Sequence, residues 1–177
     1  MQGTDNSLLD AKVQLRIDHM PKGAFIVLDA FAGFGKTWEE VATRTGRKDI
    51  YRMGIDAEQR PGCVRGDNRK WLKGIDLARF NVIDLDAYGI PFDQMEILFR
   101  RKYSGVVFFT FILSVMGMCP ERLLKTAGVT KEIRRKCPTI WGHVGWIIWL
   151  DWLAANGVKQ VFHRSKYRKH YGCFVLD

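Results

Sequence analysis

Four aspartates and two glycines carry most of the chemistry that this chain offers. Phe25-Ile-Val-Leu-Asp-Ala-Phe-Ala-Gly-Phe-Gly-Lys-Thr-Trp38 reads as a short apolar strand ending in Asp29, a loop punctuated by Gly33 and Gly35, and a helix start. Glycine lets a backbone approach a ligand closely, and a helix start presents unpaired amide donors, so the arrangement can cradle a nucleotide-like cofactor. An acid at position 29 suits a ligand with an ammonium group and would repel a triphosphate. Asp56 lies about twenty residues past the loop, where a carboxylate can accept both hydroxyls of a ribose. Asp67, in Gly66-Asp67-Asn68, is placed to receive an adenine amino group. Asp86 sits in Asp84-Leu-Asp86-Ala-Tyr88-Gly89-Ile-Pro91. There a carboxylate can hold an amine and accept developing positive charge, with the aromatic Tyr88 beside it to stack on an extruded base.

Those residues need a scaffold that brings several strand ends together, and the apolar pattern supplies one. Strands are predicted over Phe25–Ala30, Tyr51–Asp56, Cys63–Asp67, Phe80–Asp86 and Gly105–Leu113, and the last is apolar enough to be central in a parallel sheet. Helices are predicted from about Lys36 to Arg44, over Phe92–Lys102 and over Thr139–Asn156, where Trp141, Trp146, Trp149 and Trp152 pack the helix onto the sheet. A basic, irregular stretch from Met116 to Pro138 is expected to hold one or two short helices. Strands at Val158–Arg164 and Tyr171–Leu176 close the chain, and residues 1–22 read as a polar lead-in with a short helix near Leu8–Ile17. Alternating strands and helices with a final hairpin define an α/β, doubly wound, mostly parallel seven-stranded sheet with one antiparallel edge.

The glycine loop itself has two readings. Gly35-Lys36-Thr37 matches the end of a phosphate-binding loop, but the glycine required five positions earlier is Ala30. The alternative, a loop for S-adenosylmethionine (SAM), accounts for Asp29, Asp56 and Asp67 together, since ligands in open α/β sheets lie across the carboxyl ends of the strands. On these residues the chain, from about residue 23 onward, resembles the class I, Rossmann-like SAM-dependent methyltransferases. The resemblance implies a single domain over 23–177 and a closing antiparallel hairpin. It also implies that Asp29, Ala30, Phe31, Gly33, Phe34 and Gly35 wrap the methionine part of SAM. Asp56 would bind the ribose, and Asp67 with Asn68 would lie beside the adenine.

The fourth strand narrows the resemblance. Asp84 to Pro91 is similar to the Asp-x-Asp-Pro-Phe/Tyr-Gly-x-Pro motif of tRNA guanine N2-dimethyltransferases, and more distantly to the Asp/Asn-Pro-Pro-Tyr motif of amino-group methyltransferases. It implies Asp86 and Tyr88 as catalytic residues, Asp86 also against the cofactor, and Tyr88 and Pro91 against the substrate. Ala87 departs from the motif's proline, Thr110-Phe-Ile-Leu113 lacks a polar pair of that family, and nothing in the sequence corresponds to its large additional domain.

The charge balance, 28 Lys+Arg against 19 Asp+Glu for a net +9, favours a polyanionic partner, nucleic acid before a membrane surface, and the resemblance to tRNA methyltransferases implies RNA ahead of DNA. Arg134 and Arg135, in a candidate substrate-recognition insertion over 114–138, and Lys166 and Arg168, in the basic tail Arg164–Tyr171, are the phosphate-gripping candidates. Four scattered cysteines form no metal-ligand pair and read as reduced thiols. With a polar N-terminus and no convincing membrane span, the expectation is a soluble, cytoplasmic enzyme whose oligomeric state the sequence leaves open. A small-molecule or protein methyltransferase, a non-catalytic SAM- or nucleic-acid-binding module and, last, an NTPase stay open as alternatives.

Overall fold

The computed structural model describes residues 8–113, 120–166 and 168–177. Its strands are β1 (Phe25–Asp29), β2 (Ile50–Asp56), β3 (Cys63–Arg65), β4 (Val82–Leu85), β5 (Gly105–Ile112), β6 (Phe162–Lys166) and β7 (Lys169–Leu176). They form one seven-stranded sheet in the order β3-β2-β1-β4-β5-β7-β6. Pairing is parallel from β3 through β5, and β7 runs antiparallel to both β5 and β6. The fold is therefore the expected mostly parallel α/β sheet with a C-terminal antiparallel pair. The chain winds outward from β1 to β3 and then returns to β4 on the other side of β1. At that reversal the carboxyl ends of β1 and β4 diverge into a crevice.

The helices are α1 (Leu9–His19), α2 (Lys36–Thr45), α3 (Asn68–Gly74), α4 (Phe92–Arg100), α5 (Glu121–Thr126), α6 (Lys131–Lys136) and α7 (Ile140–Ala155). Two cores result, one on each face of the sheet. Val13, Leu15, Trp38 and Val41 of α1 and α2 pack against Val27, Val82 and Phe108. Leu72, Met95, Leu98, Leu123 and Trp149, from α3, α4, α5 and α7, pack against Leu28, Ile83, Val107 and Phe109 on the other face. Because strand side chains alternate between faces, Asp29, Asp84 and Thr110, each two residues beyond Val27, Val82 and Phe108, fall on the α1/α2 face. Asp86 follows Asp84 at the same spacing, just past the end of β4.

Several boundaries differ from the sequence reading. The third strand stops at Arg65, and a helix unforeseen in the sequence, α3, begins at Asn68. Only Leu72 of α3 is buried, so it carries no amphipathic period to read. The sixth strand starts at Phe162 instead of Val158, because Gly157, at φ +90°, ends α7 and the Val158 amide bonds back to the Leu153 carbonyl. Trp141, Trp149 and Trp152 are buried against the sheet, as expected. The polar lead-in contains α1, whose Val13, Leu15 and Arg16 are buried. Residues 114–119, the first part of the candidate insertion, and Tyr167 lie outside the described residues.

Candidate active site

The loop after β1 is shaped by its glycines. Gly33 and Gly35 adopt φ +52° and +76°, a left-handed conformation that side-chain-bearing residues rarely take. A Cβ on Gly35 would also collide with the Arg52 guanidinium, which lies beneath the loop, whereas one on Gly33 would meet only open space. The loop is tied across the crevice by Asp56, whose Oδ2 accepts from the Gly33 amide at 2.9 Å and whose Oδ1 accepts from the Glu58 amide at 2.9 Å. Asn68 holds the start of the loop, donating to the Ala30 carbonyl at 2.8 Å while its own carbonyl oxygen accepts from Gln94.

On the α1/α2 face the acids are held in a charge network. Arg16 of α1 is buried and bonds Asp84 through Nε at 2.8 Å and Nη2 at 2.7 Å, and Asp84 also accepts from the Trp38 indole at 2.7 Å. Lys12, one helical turn earlier, reaches Asp86 at 2.8 Å, and Thr110 donates to the other Asp86 oxygen at 2.5 Å. Asp29 is paired with Arg52 at 3.2 Å. Burial works against the Arg16 charge, but Asp84 and Asp86 outweigh it and raise its pKa above the ordinary value. Burial would also raise the Asp86 pKa, yet Lys12 and Arg16 beside it hold that carboxyl below the usual range. Asp29 goes the other way. Burial, aided by the neighbouring Asp84, pushes it up to about 7 despite Arg52.

Three cavities open along the carboxyl ends of the strands, and Phe31 lines all of them. One, of about 310 Å³, lies between the glycine loop and Asp86, with Gly33, Phe34, Gly35, Tyr88, Thr110 and Lys12 in its walls. A second, of about 560 Å³, continues past Asp56 to Ala30, Asp67, Asn68 and Arg69. A third, of about 460 Å³, lies beyond Ala87 and Tyr88 towards Asp93 and Arg122. Asp56 belongs to both of the first two, so a ligand laid across them would pass its carboxylate.

The structure thus gathers Ala30, Phe31, Gly33, Phe34, Gly35, Asp56, Asp67, Asn68, Asp86 and Tyr88 around one trough. Asp29 is not in the walls of these cavities: its carboxylate is buried under the loop against Arg52, and so does not face a ligand's ammonium group there. Asp67 is the N-cap of α3 instead of a free strand-end acid, with bonds from the Arg69 amide at 2.9 Å and from the Arg69 guanidinium at 3.1 and 3.0 Å. Pro91 is buried at the start of α4 and lines none of the three cavities. Arg134 and Arg135 sit on α6, and Lys166 and Arg168 on the closing hairpin, also outside these walls. Tyr88, by contrast, is 95% exposed at the mouth of the trough.

The sequence reading missed Lys12, Arg16, Arg52 and Thr110. The one available signal was the spacing of Lys12 and Arg16, one turn apart on a short amphipathic stretch, with apolar Val13 and Leu15 between them. Among the described residues no His/Cys/Asp/Glu group could hold a metal ion, and no helix is long and apolar enough to cross a membrane.

No protein-family model matches the sequence, and no curated protein is a significant match. Solved structures do match. The CurJ carbon methyltransferase superposes with a TM-score of 0.55 at 10% identity over 90% of this chain and 50% of its own. A Listeria monocytogenes protein described as a class I SAM-dependent methyltransferase gives 0.54 at 14% identity, over 99% of this chain and 61% of its own. A Methanococcus maripaludis protein described as a SAM-dependent methyltransferase gives 0.53 at 13% identity, over 97% and 88%. The chain thus spans half to under two thirds of the first two and most of the third. At these identities the likeness establishes the fold. It is the Rossmann-like fold of the class I SAM-dependent methyltransferases.

Proposed function

We propose that this chain is a SAM-dependent methyltransferase that acts on a base amino group in nucleic acid, RNA ahead of DNA. The observation that carries the cofactor half is the Gly33–Asp56 bond, which sets an open glycine loop beside a carboxylate shared by two cavities. The residues fit the group: Gly33 leaves space over the loop, and the two cavities have volumes typical of small-molecule sites. Gly33, Phe34 and Gly35 would hold the methionine portion, Asp56 the ribose hydroxyls, and Ala30, Phe31 and Asn68 the adenine side. Bound there, SAM supplies a methyl group already activated on a sulfonium.

The chain's own residues would do the rest. Asp86, kept ionised by Lys12, accepts an N–H of the incoming amine through its remaining lone pairs and stabilises the charge that develops on nitrogen. Tyr88, standing almost fully in solvent, offers a face for an extruded base. The net charge of +9, with Arg122 in the third cavity and Lys131, Arg134, Arg135 and Lys136 on α6, supports a polyanionic substrate.

A second reading, a small-molecule acceptor, is favoured by the pairing of Asp86 with Lys12 and Thr110, which leaves its carboxylate less open than a dedicated amine-binding acid. Calorimetry with SAM, followed by transfer of labelled methyl from SAM to RNA, DNA, protein and small-molecule fractions, tests both. Label in RNA is the expected result. Label confined to small molecules would select the second reading, and no SAM binding at millimolar concentration would overturn both.

A further inference from the structure

We infer that Arg52 is a positioning residue for the cofactor: with Gly54 and Asp56 it makes one face of β2 the seat on which the glycine loop is set for SAM. The inference rests on the methyltransferase reading and adds to it a residue outside the cavity walls.

Side chains alternate along a strand, so Arg52, Gly54 and Asp56 project from the same face of β2. Each meets a different residue of the loop after β1. Arg52 lies under Gly35, so close that a Cβ there would collide with its guanidinium. Gly54 is buried against Ala32, and a Cβ on Gly54 would come within 2.9 Å of the Ala32 Cβ. Asp56 accepts from the Gly33 amide at 2.9 Å. The β2 backbone adds a fourth tie, the Ala32 amide donating to the Ile55 carbonyl at 3.0 Å. The loop is therefore fitted to β2 along its length, from Ala32 to Gly35.

Arg52 supports the far end of that fit. Its side chain is only 18% exposed, and a cation held there needs a partner to offset its lost hydration. Asp29 supplies one at 3.2 Å from the last position of β1, so the pair joins the strand that launches the loop to the group that props it. Arg52 lines none of the three cavities, so its effect on a ligand laid in them passes through the loop. A flat guanidinium fills the space beneath Gly35 in a shape that neither an aliphatic side chain nor a lysine reproduces. A loop already held in its binding form spares SAM the cost of ordering it.

The test is calorimetric titration of SAM into the full chain and its variants, with urea denaturation and the amide NMR shifts of Gly33 and Gly35 measured on each. Arg52→Met removes the support and leaves Asp29 unpaired, whereas Asp29→Asn combined with Arg52→Met removes the buried acid as well. Both are expected to bind SAM about tenfold more weakly, although the double variant recovers the stability that the single one loses. Arg52→Lys keeps the charge without the shape and should lose about threefold. Gly54→Ala should weaken SAM binding by displacing Ala32, since the nearby Cys63 Sγ can rotate aside and a Cβ cannot. Adding Ala32→Gly removes the colliding methyl and should return most of the affinity. Wild-type SAM affinity in the Asp29→Asn, Arg52→Met double variant would reduce Arg52 to a counter-ion of Asp29 and overturn the inference, as would unmoved Gly33 and Gly35 amides. If neither Arg52→Met protein folds, Arg52→Lys decides, and unchanged affinity with unmoved amides overturns the inference. An absence of SAM binding in the wild type would sink the methyltransferase reading itself, whereas equal binding by wild type and variants sinks the positioning role alone.

Discussion

The two ends of the trough use aspartate in opposite ways. At the α1 end, Asp29, Asp84 and Asp86 sit on one sheet face among Arg52, Arg16 and Lys12, mostly out of water and each with a cationic partner. At the β2–β3 end, Asp56 and Asp67 are partly exposed, and their bonds go to loop and helix amides and to Arg69. Buried carboxylates must be neutralised by partners, because removing a charge from water costs more than any single contact returns. Exposed ones are free to serve as caps or as ligand acceptors. The same residue type at successive strand ends therefore does structural work on one side and leaves groups available to a ligand on the other. Asp86 stands between the two classes, ion-paired yet in the cavity wall.

The comparison is broken most severely by removing Arg16. Arg16→Met leaves Asp84 buried without its bidentate partner and Asp86 with one cation fewer, and should cost about 3–5 kcal/mol of stability. Urea denaturation of the variant reads this directly, and a loss below about 1 kcal/mol would show that the network does not hold α1 to the sheet. Asp29 gives the next effect, through pH. Its pKa is about 7 in the folded protein, above the ordinary carboxylate value, so between about pH 4 and 7 the folded state binds a proton that the unfolded chain has released. Its contribution is complete at about pH 4, declines as pH rises, and levels off above pH 7. Relative to Asp29→Asn, the wild type should lose stability across that window with a slope of at most about 1.4 kcal/mol per pH unit. Parallel stability curves for the two proteins would place the Asp29 pKa outside it.

What was legible in the sequence follows the same division. The strands along the chain and the glycine loop were readable because they depend on local pattern: unbroken apolar runs for β1 and β5, and glycines where the backbone turns left-handed. The acids at the strand ends were visible too, but their partners were not. Arg16 meets Asp84 across 68 positions and Lys12 meets Asp86 across 74, and no local period encodes such distances. The short helix of the lead-in was read, but not its place in the charge network, because its largest fully buried side chain is an arginine, which pattern reading assigns to solvent. Helix α3 was missed for the reverse reason: it is held by its cap and a single leucine.

At the open end, Asp56 and Asp67 should separate a ligand acceptor from a helix cap. Asp56→Ala is expected to weaken SAM binding about tenfold or more, since it removes a charged acceptor and loosens the Gly33 amide that the carboxylate fixes. Asp67→Ala should leave SAM affinity within about threefold while lowering stability by about 1 kcal/mol, the usual cost of an N-cap whose side chain bonds an orphan amide. Asp67→Asn, which can still accept from the Arg69 amide, should recover most of that stability. Calorimetry and denaturation of the three variants decide the matter. If Asp67→Asn restores the fold but not cofactor affinity, then Asp67 is a ligand acid after all, and the division between the two ends would run through α3 instead of at the β1–β4 crevice.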